Sequence, residues 1–322
     1  MNRFFRCLVF LLAVASGAAI GQTYPDKSKP LHIVLPQGPG SASDVVTRSL
    51  AKAITDVSGL NVVIDYKPGA ETVIGVQALL NAPQDGYTMM MVSSSTPVLN
   101  PIMIPNLPYD PLRDFIPLVG ISKVMLAFNL GPSTSFKSVR EFVEAAKANP
   151  GKYTFGSATT TSRLTGELLQ SLAGIKLLNV PYKTTAAGLT AVAAGEVDLM
   201  FADAASARPL WDTGRVRYLA FTGSTRSSIM SQVPTMKEEG VPDYDLVAWF
   251  ATYFAAKTPP DAVTAMREIL RKAVKTPAFV ETLTKANMEP LDLAGEEINA
   301  MTRREIETYT TVLRAANLVP AK

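Results

Sequence analysis

The residues of this chain able to do chemistry are concentrated in hydroxyl- and glycine-rich loops. One reads Pro36-Gln37-Gly38-Pro39-Gly40-Ser41-Ala42-Ser43 and runs into Asp44; another reads Ser93-Ser94-Ser95-Thr96-Pro97; a third reads Gly156-Ser157-Ala158-Thr159-Thr160-Thr161-Ser162 and runs into Arg163. Each follows a short apolar run that reads as a strand. Such loops set free backbone N–H groups and hydroxyls at helix N-termini, where partial positive charge collects. That arrangement suits capture of a small anion better than a chemical transformation. Gly38-Pro39-Gly40 has neither the Gly-Lys-Ser/Thr ending of a P-loop nor the spacing of a dinucleotide fingerprint. It therefore reads as a ligand-facing turn. Ser43 is the N-cap candidate of the helix that follows, with Asp44 in its first turn, where the dipole favours a carboxylate.

The other candidates stand apart from one another. Arg163 either pairs bidentately with a carboxylate or is solvated on its helix. Asp203 closes the apolar run Val197 to Phe201, where it either meets a ligand amine or hydroxyl or caps the next helix. Trp249 is a cleft wall or simple core. His32 is the only histidine and Cys7 the only cysteine. No metal cluster can be built from them, and a general base in a predicted strand has no positioned partner. No Gly-x-Ser-x-Gly nucleophile elbow is present, Gly156-Ser157-Ala158 lacks a histidine to serve it, and nothing places Glu167 and Glu196 together. A non-enzyme without cofactor or metal is expected, and an exported hydrolase is the weakest reading.

The loops need a frame that repeats strand, turn and helix, and the chain supplies it. Apolar strands are predicted at Leu31 to Leu35, Leu60 to Asp65, Tyr87 to Val92, Val124 to Leu130, Tyr153 to Phe155, Leu177 to Val180, Val197 to Phe201, Arg217 to Phe221 and Val247 to Phe254. Helical spacing of Val46, Leu50, Ala53 and Ile54, and of Leu164, Leu168, Leu169 and Leu172, predicts one-sided helices after the first and third loops. Further helices are expected at Thr72 to Leu80, Val139 to Ala148, Leu189 to Ala194, Ala262 to Val274, Pro277 to Lys285 and Ile298 to Ala315. The stretch holding Pro105, Pro108, Pro111 and Pro117 reads as irregular surface chain. Alternating strands and helices indicate an α/β protein with mostly parallel sheet.

The 322 residues suffice for two domains, and 47% hydrophobic residues can build real cores. With 31 basic and 28 acidic residues, net +3, there is no concentrated basic face for nucleic acid. The N-terminus reads as a secretory signal over 1–21: Arg3 and Arg6 lead, Cys7 to Val14 is apolar, and Ala19-Ile20-Gly21 precedes a cut at Gln22. Cleavage removes Arg3 and Arg6, lowering the net charge from +3 to +1, and leaves no thiol for a disulfide or a cysteine metal site.

Taken in order, a set of segments carries a specific resemblance: Pro36 to Asp44, Tyr66-Lys67-Pro68-Gly69-Ala70, Pro83-Gln84-Asp85-Gly86-Tyr87-Thr88, Leu107 to Phe115, Ala148 to Ala158, Val180-Pro181-Tyr182-Lys183 and Gly195 to Phe201. From Tyr24 to about Val319 the chain resembles the extracytoplasmic solute receptors of tripartite tricarboxylate transporters, the Bug-type receptors. The resemblance implies a two-lobe type II periplasmic-binding-protein fold with a ligand cleft between α/β lobes. Lobe I would comprise 22–123 and 222–322, and lobe II 124–221. It also implies a periplasmic protein, a monomer, that captures a small organic anion (a dicarboxylate, an amino acid or an aromatic acid) by lobe closure. The partner would be a membrane transporter or, alternatively, a membrane sensor kinase. By position the ligand would meet Gly40, Ser41, Ala42, Ser43 and Asp44 in one lobe and Ser157, Thr159, Thr160, Thr161 and Ser162 in the other. Ser94, Thr96, Thr184 and Asp203 complete the implied pocket. Gln37 stands where relatives usually carry an aromatic residue, Arg163 where they often carry histidine, and Thr184-Thr185 where a Gly-Ser step is common; the hydroxyl loop is about two residues shorter.

Overall fold

The computed structural model describes residues 24–39, 41–315 and 319; the predicted signal 1–21 with Cys7, the cut at Gln22 and the candidate Gly40 lie outside the described residues. In chain order the elements are β1 (Leu31–Leu35), α1 (Ala42–Ser58), β2 (Val62–Tyr66), α2 (Val73–Asn81), β3 (Thr88–Ser93), β4 (Phe115–Leu130), α3 (Val139–Ala148), β5 (Thr154–Ser157), α4 (Thr160–Ala173), β6 (Leu178–Pro181), α5 (Thr185–Ala194) and β7 (Leu199–Asp203). They continue with α6 (Ala204–Asp212), β8 (Arg217–Phe221), β9 (Val247–Ala255), α7 (Pro260–Ala273), α8 (Pro277–Lys285), β10 (Glu289–Pro290) and α9 (Glu296–Ala315). Short helical turns occupy Ser95–Leu99, Asn100–Met103 and Pro111–Asp114.

The helices form where the apolar spacing demands. Val46, Leu50, Ala53 and Ile54 of α1 are all buried and pack with Leu31 and Ile33 of β1. Gly59, at φ 75°, then ends the helix by donating its N–H to the Thr55 carbonyl, a conformation that suits a residue without Cβ. The N-cap is Ser41, not Ser43: its hydroxyl accepts from the Asp44 N–H, so α1 begins one residue past Ser41 and Ser43 lies inside it.

The strands run β2-β1-β3-β9-β4-β7-β5-β6, with β8 and β10 also on β4. β1 lies parallel to β2 and β3; β9 is antiparallel to β3 and to β4; β4 is antiparallel to β7, while β5 is parallel to β6 and β7. The partner change is abrupt. β4 pairs with β9 from Phe115 to Met125 and with β7 from Leu126 to Leu130, so one strand runs through both lobes. A buried cluster under α1, α7 and α8 serves the first lobe, and another under α5 and α6 serves the second. A third is continuous across both, from Val34 and Met90 to Phe155 and Phe201, and takes in Ile298, Tyr309 and Leu313 of α9. The two-lobe α/β architecture implied by the resemblance is thus the architecture of the chain.

One element departs from expectation. β4 begins at Phe115, not Val124, and carries Pro117 within it. Its pairing with β9 shifts register between Pro117 and Gly120 and again between Gly120 and Ser122. Bulges of this kind accommodate a residue without an N–H and bend the strand. Among the described residues no helix is long and apolar enough to cross a membrane.

Candidate ligand-binding site

The strand registers fix where the loops converge. β3 ends with Ser93 opposite Phe250, and β4 brings Ser122 opposite the same Phe250. From the other lobe, β7 ends with Asp203 opposite Leu126. The C-terminal edges of the parallel strands in the two lobes therefore face each other across the middle of β4. Ligands of open α/β sheets lie at such edges. A pocket of about 130 Å³ sits there, lined by Val124 and Leu126 of β4, Ala248 and Phe250 of β9, Met288, Phe201 and Ala202 of β7, and by Thr159, Thr161, Ser162, Thr185 and Asp203.

The last five belong to the starts of three helices of the second lobe. Thr159 caps α4: its hydroxyl accepts from the Ser162 N–H at 3.1 Å, while the Ser162 hydroxyl accepts from the N–H groups of Ala158 and Thr159 at 3.0 Å each. This reciprocal box satisfies two orphan donors and holds the loop rigid. It leaves the side-chain hydroxyls of Thr160 and Thr161 without a hydrogen bond among the described residues. Thr184 caps α5 by accepting from Ala187, which leaves Thr185 to line the pocket. Asp203 caps α6, accepting from the Ser206 N–H and hydroxyl at 2.8 Å each. The α4 and α5 N-termini thus point partial positive charge at one largely apolar pocket, while the α6 N-terminus is taken up by the Asp203 carboxylate, which itself lines the pocket. Ser157 stands behind it, donating to the Asn179 side chain at 2.7 Å. Arg163 is not on the wall; its Nε lies 4.0 Å from Glu167, an ion-pair distance, and is buried without a hydrogen-bond partner among the described residues.

The loop of the first lobe is organised differently. Ser41 donates to the Gly38 carbonyl and pairs with the Ser43 hydroxyl, both at 2.9 Å, and Ser43 donates to the Gln37 side chain. Asp44 is buried; its carboxylate accepts from Arg48 at 2.9 Å and from the Tyr66 hydroxyl at 2.6 Å. The main-chain path places Ala42 in the first turn of α1.

Ser94 and Thr96 are committed to structure. Ser94 exchanges hydrogen bonds with Trp249, through its N–H at 2.7 Å and its hydroxyl at 3.4 Å. Thr96 is fully buried, with its hydroxyl 2.9 Å from that of Thr72. That contact belongs to a clamp on a strained turn. Ala70, Glu71 and Thr72 have φ of 46°, 48° and 76° in succession, each costing about 1–3 kcal/mol for a residue with a Cβ. Asn100 donates to the Glu71 carbonyl and the Tyr109 hydroxyl donates to the Thr96 carbonyl, holding the turn from behind.

Trp249 is core, and its indole N–H donates to Glu305 of α9 at 2.9 Å. α9 packs against α4 of the second lobe and against the Ser95–Leu99 turn of the first, so Glu305 lies where the lobes are joined. Burial pushes its pKa up to about 7, against the smaller lowering effects of Trp249 and Arg304; Asp245 adds to the rise. His32 pairs with Asp65 at 2.7 Å, far down the strand from the loops, and no metal-binding cluster occurs among the described residues.

Thr185 and the apolar residues Val124, Leu126, Phe201, Ala202, Ala248, Phe250 and Met288 were not among the expected site residues. Thr185 had a local signal, as the residue after a Thr cap; the others reach the pocket only through the registers of β4, β7 and β9 and the position of the chain before β10.

A two-lobed α/β protein with an interlobe pocket fed by helix N-termini defines a solute-binding receptor, and the comparisons with known proteins agree. The family described as tripartite tricarboxylate transporter family receptor matches residues 46–318, and the chain belongs to it. Protein BugT of Bordetella pertussis is 28% identical over 319 residues, covering 98% of this chain and 97% of its own. Among solved structures, the periplasmic binding protein BugD superposes with a TM-score of 0.76 at 25% identity, over 90% of this chain and 98% of that one. An R. palustris protein solved with adipate gives 0.80 at 26% identity, over 92% and 100%.

Proposed function

We propose that this chain is an exported receptor that captures a small carboxylate with an apolar body between its lobes and presents it to a membrane transporter. The observation that carries this reading is the convergence of the α4 and α5 N-termini on a pocket walled by Leu126, Phe201, Phe250 and Met288, with the Asp203 carboxylate held at its edge by the α6 N-terminus. Helix N-termini hold a carboxylate without a formal ion pair, and no lysine or arginine lines the pocket. Thr161 on the wall, the free N–H groups of the α4 start and the neighbouring Thr160, whose hydroxyl has no partner among the described residues, would take one acid group. Closure would bring the Gln37–Asp44 loop and the α1 N-terminus, including Gly40 and Ala42, to the opposite end of the ligand. A second acid group would sit there, with its aliphatic or aromatic body against the apolar wall between. The relative solved with adipate has such a ligand. We take 22–123 with 222–322 as the first lobe and 124–221 as the second, with β4 as the hinge strand, and residues 1–21 as a cleaved signal. Ligand contacts favour the closed state by their differential affinity for it.

A thermal-shift screen of the protein beginning at Gln22 tests the reading. Adipate, shorter and longer aliphatic diacids, benzoate, citrate and amino acids are compared at rising concentration. A ligand that binds only the folded state stabilises by about 2.7 kcal/mol at a hundredfold excess over its Kd. A concentration-dependent rise with an aliphatic or aromatic acid, and a smaller one with citrate, is expected. A rise only with uncharged solutes would overturn the assignment.

A further inference from the structure

A second pocket, which shares no lining residue with the interlobe site, lies on the first lobe. Its volume is about 250 Å³, and its walls are Val119, Gly120 and Ile121 of β4, Leu291 to Leu293, Val274 and Val280. It exists because β4 is doubly bulged there. Where its pairing with β9 slips around Gly120, the strand turns to the chain after β10 instead: the Gly120 N–H donates to the Leu293 carbonyl at 2.8 Å, and Val119 bridges to Ala294. The bend leaves Val274, Val280, Leu291 and Leu293 incompletely covered. Three cations stand on the same side. Arg267 and Arg271 lie one turn apart on α7, Lys275 lies a turn beyond, and Arg271 and Lys275 belong to the pocket wall.

None of the three meets a carboxylate within ion-pair distance among the described residues. Asp292, also on the wall, is exposed. The Arg267 guanidinium donates to the Pro117 carbonyl at 2.7 Å, while its Nε is buried without a partner. Burial, and then the charge of Arg271, hold its pKa below the ordinary value. Basic residues near a helix C-terminus complement the dipole, but that purpose needs neither an apolar cavity beside them nor a third cation half sunk in the fold.

We infer that this pocket is a binding site for an amphipathic organic monoanion, a short fatty acid or a related carboxylate, with its apolar tail between Ile121, Val280 and Leu291 and its acid group on Arg271 and Lys275. The ligand would bind independently of the interlobe cleft and offset the unpaired positive charge along α7.

Octanoate is the probe. It is titrated calorimetrically into the protein beginning at Gln22 and into Thr161→Trp, Leu291→Trp, Arg271→Gln and Lys275→Gln variants. Thr161→Trp plugs the interlobe pocket; Leu291→Trp fills the second one. Octanoate binding that survives Thr161→Trp, is lost in Leu291→Trp and weakens about tenfold in Arg271→Gln is expected, a charge-assisted contact being of that order. The exposed Arg271 and Lys275 substitutions keep the test valid if Leu291→Trp fails to fold. No binding to the Thr161→Trp protein, or an affinity within twofold of the parent in both charge variants, would overturn the site. Phosphatidylglycerol vesicles are titrated in parallel. Arg271-dependent binding to vesicles without binding of octanoate would likewise overturn it, in favour of a membrane contact.

Discussion

The two walls of the interlobe cleft are made from the same kinds of residue and finished in opposite ways. On the second lobe, Thr159 and Ser162 satisfy each other in a cap and leave the Thr160 and Thr161 hydroxyls open. On the first, Gln37, Ser41 and Ser43 bond to one another, and Asp44 is held by Arg48 and Tyr66. The second lobe therefore presents a prepared half-site. The first presents a self-satisfied loop that offers chiefly its backbone and the α1 dipole. Preorganised donors bind with little ordering cost, so on the proposed function the second lobe would supply most of the ligand's affinity.

The most severe way to break that contrast is to replace Thr160 and Thr161 together by valine. Hydrogen bonds to a charged group contribute about 1.5–3 kcal/mol each, so the pair should cost at least about a hundredfold in affinity by calorimetry. The melting temperature should hold, because neither hydroxyl has an internal partner. Affinity within twofold of the parent would show that the second lobe is not the stronger wall.

Glu305 probes the joint between the walls. Its folded-state pKa is raised to about 7 by burial, so the stability it allows is fully present below the ordinary carboxylate range and is lost as pH rises through 7. Between pH 5 and pH 8 the loss should be about 2 kcal/mol. Glu305→Gln keeps an acceptor for Trp249 and should remove that slope, raising the melting temperature at pH 8 and scarcely changing it at pH 5. Parallel melting curves against pH for parent and variant would refute the assignment.

A smaller effect is expected from Asp44→Asn, which weakens the hold of Arg48 and Tyr66 on the first-lobe loop. About 1 kcal/mol of stability should be lost, read by urea denaturation, with ligand affinity changed less than in the double valine variant. A larger affinity loss than there would reverse the ranking of the two walls. The smallest effect should come from Arg163→Ala. Its side chain is off the pocket wall, so calorimetry should show less than a threefold change, and a tenfold loss would place the guanidinium on the ligand.

The sequence disclosed the walls better than the floor. Thr159 to Ser162 and Asp203 stood out because hydroxyls and a carboxylate after apolar runs mark helix starts. Their grouping could be stated only through the resemblance, since spacing along the chain says nothing of how β5 and β7 neighbour each other. Ser41 and Ser43 were both suitable caps, and the choice between them depends on the turn at Gly38. Phe250 and Met288 were illegible as site residues, being ordinary apolar positions that reach the pocket by register alone. β4 misled for a physical reason: Pro117 signals a break, and only a partner strand that slips register lets it stay.

That shared strand also bears on how the chain acquires its shape. The second lobe closes its sheet with residues from Leu126 to Phe221, near one another in sequence. The first sets Met90 beside Tyr253, so its sheet stays open until the late strand arrives. Long-range pairings of this kind slow folding, because the loop must be closed before the contact is gained. A chain emerging N-terminus first would thus form its second lobe early. It would carry β1 to β3 unfinished until nearly all of it had emerged, which favours passage across a membrane before the fold is complete.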